Sequence, residues 1–236
     1  MTLKAAGVLG VLVAVATATA AEESWITKVL RVAGITASPA RLRGAGSDAV
    51  IGNIWIIGVD GADARQLTSD GRYQSPVFAP DDQSLYALRD DVLVRVPTGG
   101  GASSHVMGLP KAAKLIGFGR DVDELLVLLD DASQPIAEIS LAAKATKVVP
   151  GDVRTDSAVA VLDDIRGQDR TYGETSLLVR PQRRRGSNEA IEWTEIFVQR
   201  DHDAPHQITS CDGRNCGQPV LSSTGRRVAY VREEGP

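Results

Sequence analysis

The strongest constraint on this chain is a segment that occurs twice. Pro76-Val77-Phe78-Ala79-Pro80-Asp81-Asp82 leads into the apolar run Ser84 to Leu88, and Pro219-Val220-Leu221-Ser222-Ser223-Thr224-Gly225 leads into Val228 to Val231. The offsets agree, because Pro76 and Leu85 stand nine positions apart, as do Pro219 and Val228. Upstream of each copy lies a short apolar–Thr pair, Leu67-Thr68 or Ile208-Thr209. Before that comes an expected opening strand, the apolar Ile54 to Ile57 or Trp193 to Gln199. Short strands bounded by Gly, Pro and Asp clusters at this density are the signal for an antiparallel meander. Self-similarity at a period of about 40 residues marks a repeat array.

Between the two clear copies the same rhythm continues more faintly. Val92 to Val96 predicts a strand, Pro97 to Gly101 a turn, and His105 to Met107 and Lys114 to Phe118 further strands. Leu125 to Leu129 is continuously apolar, which predicts burial on both faces. Ile136 to Leu141 and Ala145 to Val149 open the next unit; beyond Pro150-Gly151 the repeat blurs, with strands expected at Val159 to Leu162 and Ser176 to Val179. The polar, basic stretch Arg180 to Asn188 predicts a projecting loop.

The unit Gly52 to Arg89 resembles the blade repeat of the TolB-like β-propeller family, a WD40-like propeller repeat. That repeat runs apolar strand, Asp-Gly turn, Leu-Thr, then Pro-x-Trp-Ser-Pro-Asp-Gly and a closing strand. Here Phe78 stands at the Trp position, Ala79 at the Ser position and Asp82 at the Gly position. The Gly position calls for positive φ, which Asp tolerates better than most residues. The resemblance implies an all-β chain, a β-propeller. About four units are counted between Gly52 and Arg232 against the family's six, so the expected fold has about four to five blades, incomplete relative to six-bladed relatives, with a short N-terminal helix.

Residues 1–20 carry one Lys, an apolar run from Ala5 to Ala16 and small-x-small sites at Ala16-Thr17-Ala18 and Ala18-Thr19-Ala20. This is the pattern of a cleaved secretory signal peptide, and the expected mature chain does not span a membrane. Residues 21–50 are expected to form an extension whose short helix is N-capped by Ser24, with Ile26, Val29, Leu30 and Ala33 on one face. Residues 51–233 form the expected propeller domain. Losing Lys4 leaves 25 basic residues against 30 acidic ones, net −5. A mildly acidic exported chain is a poor match for nucleic acid. Cys211 and Cys216, in Cys-Asp-Gly-Arg-Asn-Cys, are expected to form a local disulfide in an oxidising compartment. Two free thiols or half of a metal site are the alternatives.

Catalytic and cofactor motifs are sparse. His202-Asp203-Ala204-Pro205-His206 has zinc-helix spacing, but Pro205 interrupts the helix that such a pair requires. The acid pairs Asp81-Asp82, Asp90-Asp91, Asp130-Asp131 and Asp163-Asp164 fall where turns are expected. No catalytic, cofactor or metal residue is assigned, and no cofactor is expected. Arg183, Arg184 and Arg185 form a basic run that would contact an acidic partner or stand solvated in a loop. Trp55 and Trp193 occupy corresponding places and are expected in the core, with carbohydrate stacking as the alternative.

The resemblance implies a non-enzymatic scaffold, periplasmic or secreted and bacterial, that binds a protein or peptide partner, with a homo-oligomer arising if the ring stays open. The alternatives are the substrate-gating propeller of a prolyl-oligopeptidase-like peptidase system, or a carbohydrate- or metal-binding propeller.

Overall fold

The computed structural model describes residues 50–109, 112–119, 121–130, 136–148, 170–185 and 190–234. The signal segment 1–20, the expected helix within 21–50 and the strand at 159–162 lie outside them. Every regular element among the described residues is a β-strand.

The sixteen strands among the described residues form three antiparallel sheets. The first four-stranded unit joins both ends of the described chain. It orders β15 (Cys216–Leu221), β16 (Arg227–Glu233), β1 (Gly52–Gly58) and β2 (Arg65–Gln66). The second unit is a meander of β3 (Tyr73–Phe78), β4 (Ser84–Arg89), β5 (Val92–Pro97) and β6 (Ser104–Gly108). These two units make one eight-stranded sheet, connected by the single pair Gly52–Tyr73. The third unit is β7 (Ala112–Phe118), β8 (Glu124–Leu129), β9 (Ile136–Ser140) and β10 (Ala145–Val148). The fourth is β11 (Arg170–Tyr172), β12 (Thr175–Arg185), β13 (Ala190–Arg200) and β14 (His206–Gln207).

The structural unit is therefore out of phase with the sequence repeat, which places Gly52 to Arg89 in one blade. Along its whole length β1 pairs with β16, from Gly52–Glu233 to Gly58–Arg227, and only its first residue reaches β3. Joining strands from distant parts of the chain in one sheet covers edges that would otherwise stay open to water. Gly52 makes that join possible, because a Cβ there would run into the backbone of Arg232 and Glu233. Gly52→Ala is expected to cost about 1–3 kcal/mol, the range for forced overpacking, and chemical denaturation would read the loss.

Alternation along the strands explains the packing. In β1, Ile54 and Ile56 enter one apolar layer with Leu85, Ala87, Val94 and Val96 of the second unit. Ile57 points the other way, into a layer with Leu177, Val179, Ile196 and Val198 of the fourth. Leu88 and Leu93 face a third layer with Leu115, Leu125 and Val127. Among the described residues, three apolar layers thus lie between neighbouring units, and successive side chains on opposite faces serve both neighbours. Leu126 and Leu128 are buried as well, so β8 is covered on both faces as its continuous apolar run predicts. The leading strands β3, β7 and β15 lie beside one another across unit boundaries.

Arg180 to Arg185 are not a loop. They continue β12, paired with β13 from Thr175–Arg200 to Arg185–Ala190. Their polarity hides the strand from a hydrophobic pattern, while opposite charges face each other in register at Arg180–Glu195 and Arg183–Glu192. Residues 186–188 lie outside the described residues.

Candidate functional site

The two sets of residues singled out by sequence adjoin the same strand. The inner half of the β12–β13 hairpin is buried, and its outer half runs out as an arm where Arg183, Arg184, Ile191 and Glu192 are exposed. Arg183 Nε lies 3.4 Å from Glu192 Oε1, with both side chains largely in solvent, so that pair contributes little to stability. Arg184 stands opposite Ile191, which is 41% exposed. Arg185 closes the strand opposite Ala190.

Cys211 and Cys216 are joined by a disulfide with their Cα atoms 6.2 Å apart. Both are buried, and the loop between them carries Asp212 and Arg214 outward. The loop is fastened to β13 at its base: Thr194 Oγ1 donates to Cys216 O at 2.8 Å, and the Cys211 amide donates to Glu195 Oε1 at 2.7 Å. Gly213 sits against Ile191, with room for little more than a methyl group between them. A carboxylate oxygen of Glu195 and both sulfurs lie within 4.8 Å of one another. The sulfurs are bonded to each other and offer no thiolate to a metal. Replacing both cysteines by Ala is expected to lower stability by about 2 kcal/mol, the chain-entropy value for so short a loop. Thermal unfolding with and without a reductant checks this: the reductant should move the parent and leave the double variant in place.

Glu195, which sequence reasoning did not single out, is the polar centre of this region. It is 2% exposed and accepts three hydrogen bonds, from Trp193 Nε1 (2.7 Å), Thr209 Oγ1 (2.6 Å) and the Cys211 amide. Thr209 Oγ1 in turn accepts from the Ile196 amide. The first unit repeats the device. Thr68 Oγ1 accepts from the Ile54 amide and donates to Asn53 Oδ1, which also accepts from the Gly71 amide. Gln66 and Gln207 each donate to the carbonyl of the Thr two residues on, at 2.6 Å. The repeated apolar–Thr pair was the visible signal. Its acceptor, Asn in one copy and Glu in the other, was not. Nearby, burial above all pushes the Tyr230 hydroxyl up to about 12; Arg232 opposes the shift and Glu195 adds to it.

Asp82 links the turns of two units. Its φ is 56°, matching 67° at Gly225 in the other copy, as its place in the repeat predicts. Its carboxylate accepts from the amides and hydroxyls of Ser223 and Thr224. Burial, the largest single influence, pushes the carboxyl up. The hydrogen bonds from Ser223 and Thr224 together outweigh burial and hold the group below its ordinary 3.8. Arg227 donates to the Asp82 carbonyl and lies over the Phe78 ring, 5.9 Å from its centre.

The remaining candidates are dispersed over the fold. His206 contacts the Val59 carbonyl at 3.1 Å from a strand, and His202 is 99% exposed beside Asp201, so the pair shares no helix face. Asp90 pairs with Arg72. Trp55 and Trp193 both pack half-buried against the layer between the first and fourth units. Asp131 and the Asp163-Asp164 pair lie outside the described residues.

No family model matches the chain, and no curated protein matches it. Solved structures do. The putative TolB from Agrobacterium tumefaciens aligns with a TM-score of 0.34 and 8% identity, over 80% of this chain and 100% of that one. The AtxE2 isopeptidase aligns both apo (TM-score 0.30, 14% identity) and with Astexin3-dC4 bound (0.28, 15%). The chain spans 34% of that isopeptidase's length. At these values none of the likenesses speaks to ligand or chemistry.

Proposed function

We propose that this chain is an exported, non-enzymatic scaffold of the propeller kind, and that the β12–β13 arm with the adjoining disulfide loop binds a protein partner with an acidic face. The propeller reading is supported by four-stranded antiparallel units whose leading strands stand side by side, with one unit joined from both ends of the described residues. Export is supported by the signal-like residues 1–20 and the disulfide.

The observation that carries the binding role is the arm. Its outer residues gain no burial, yet they are held as a regular strand, braced at the base by Glu195 and Thr194 to the disulfide loop. A surface already ordered loses little entropy when a partner docks. Arg is enriched at interfaces, and basic groups on an otherwise acidic chain orient an acidic partner during encounter.

A photo-crosslinking residue at position 191, in cells making the full chain, tests the reading. The expected result is one discrete adduct that disappears with Arg184→Glu and does not form from a probe at Lys144, on the exposed turn after β9. No adduct from position 191, or the same adducts from both positions, would overturn the binding role. Mass measurement of the mature chain tests export, with cleavage expected after Ala20.

A further inference from the structure

A second feature lies at the end of the second unit, away from the arm. The loop before β3 carries Asp70 and Arg72, the β4–β5 turn carries Arg89 and Asp90, and the chain entering β6 carries Ser103 and His105. Register sets the first two segments side by side, through Tyr73–Arg89 and Arg89–Val92, and places His105 opposite Val94, farther along β5. The three segments surround an open pocket of about 310 Å³. Val92 and Val94 form its apolar floor; Arg72, Arg89, Ser103 and His105 form its walls, and Asp90 is the one acid among the lining residues.

Both guanidiniums are positioned before any ligand arrives. Arg89 pairs with Asp70 and lies over the Tyr73 ring, 5.8 Å from its centre. Arg72 reaches Asp90 at 3.1 Å and Asp70 at 3.6 Å, and its side chain is still 53% exposed. The Tyr73 hydroxyl lies 3.1 Å from Ser103 Oγ, which fixes the opposite wall. A guanidinium has five N–H donors, and these ion pairs leave some of Arg72's unspent. An apolar floor beneath a few convergent polar groups is the usual build of a small-ligand site, and this volume is at the small end of that range.

We infer that this pocket binds a carboxylate carrying a short apolar group: the carboxylate on Arg72, Arg89 and the Ser103–His105 wall, the apolar group on Val92 and Val94. Two sources share that chemistry, the C-terminal residue of a peptide and a free branched-chain acid. Guanidinium–carboxylate bonding supplies the selectivity, because replacing the carboxylate by an amide removes the charge assistance.

Titration of the isotope-labelled full chain, followed by nuclear magnetic resonance, tests this with N-acetyl-leucine, N-acetyl-leucinamide and 4-methylpentanoate. N-acetyl-leucine is expected to shift the Val92, Val94 and His105 signals saturably, and its amide to bind about tenfold more weakly or worse. Arg72→Gln and His105→Gln, both at exposed positions, should each weaken N-acetyl-leucine severalfold while the melting temperature stays unchanged. Tighter binding of N-acetyl-leucine than of 4-methylpentanoate would assign the site to peptide termini; equal binding would assign it to free carboxylates. The proposal fails if the amide binds as well as the acid, if the shifted residues lie elsewhere, or if no saturable shift occurs at millimolar concentrations.

Discussion

Glu195→Ala is expected to destabilise the protein by about 3–5 kcal/mol, because it strands three donors in or beside a closed interior. Trp193 Nε1, the Thr209 hydroxyl and the Cys211 amide all point at this one carboxylate. The loss spans two units, since Cys211 enters the disulfide loop of the first while Glu195 belongs to β13 of the fourth. Glu195→Gln separates shape from acceptor chemistry. Its single oxygen, placed at the Oε1 position, still serves Trp193 and Cys211, and its amide then faces Thr209 Oγ1, which already accepts from Ile196. That variant should lose only about 1 kcal/mol, one imperfect hydrogen bond. Urea denaturation at pH 7, followed by Trp fluorescence, measures both. A Glu195→Ala protein within 1 kcal/mol of the parent would mean that water replaces the carboxylate and that the network is not structural.

Asp82→Gly should lower stability by about 2 kcal/mol at neutral pH, in the range of hydrogen bonds to a charged group. Glycine keeps the left-handed backbone that both copies of the turn adopt, so the variant tests the carboxylate and not the φ. Ser223 and Thr224 have exposed side chains and regain water, which holds the loss below that of Glu195. The effect also has a pH signature. The folded carboxyl titrates below its unfolded value of 3.8, so its contribution is full above that value and is lost as pH falls through the folded one. The gap between parent and variant should therefore hold steady from neutral pH down to about pH 5 and shrink below about pH 4. A gap that does not change with pH would show that the turn, and not the charge, is responsible.

These two sites illustrate what a sequence pattern exposes. The positive φ of Asp82 was legible because it belongs to a local turn with a counterpart in Gly225. Its partners were not, since Ser223 lies 141 residues away and nothing in its neighbourhood marks it as a donor. Thr68 and Thr209 stand at matching positions and were visible as a repeat. Asn53 and Glu195 do the same work with different side chains, so similarity of residue type passed over them. Arg180 to Arg185 show the opposite failure. Their polarity suggested a loop, whereas register with Glu192 and Glu195 keeps them in a strand.

What the sequence by itself determined was local: where strands begin and end, which turns need Asp or Gly, and which runs are buried on both faces. These follow from period-two apolar alternation and from the steric limits on φ, each settled within a few residues. Tertiary structure alone decided which strands share a sheet. Backbone amides and carbonyls pair equally well with any strand, so pairing leaves no signature in residue type. Only the packing of Ile54 and Ile56 on one face of β1, and of Ile57 on the other, sets β1 against β16 and shifts the structural unit out of phase with the repeat.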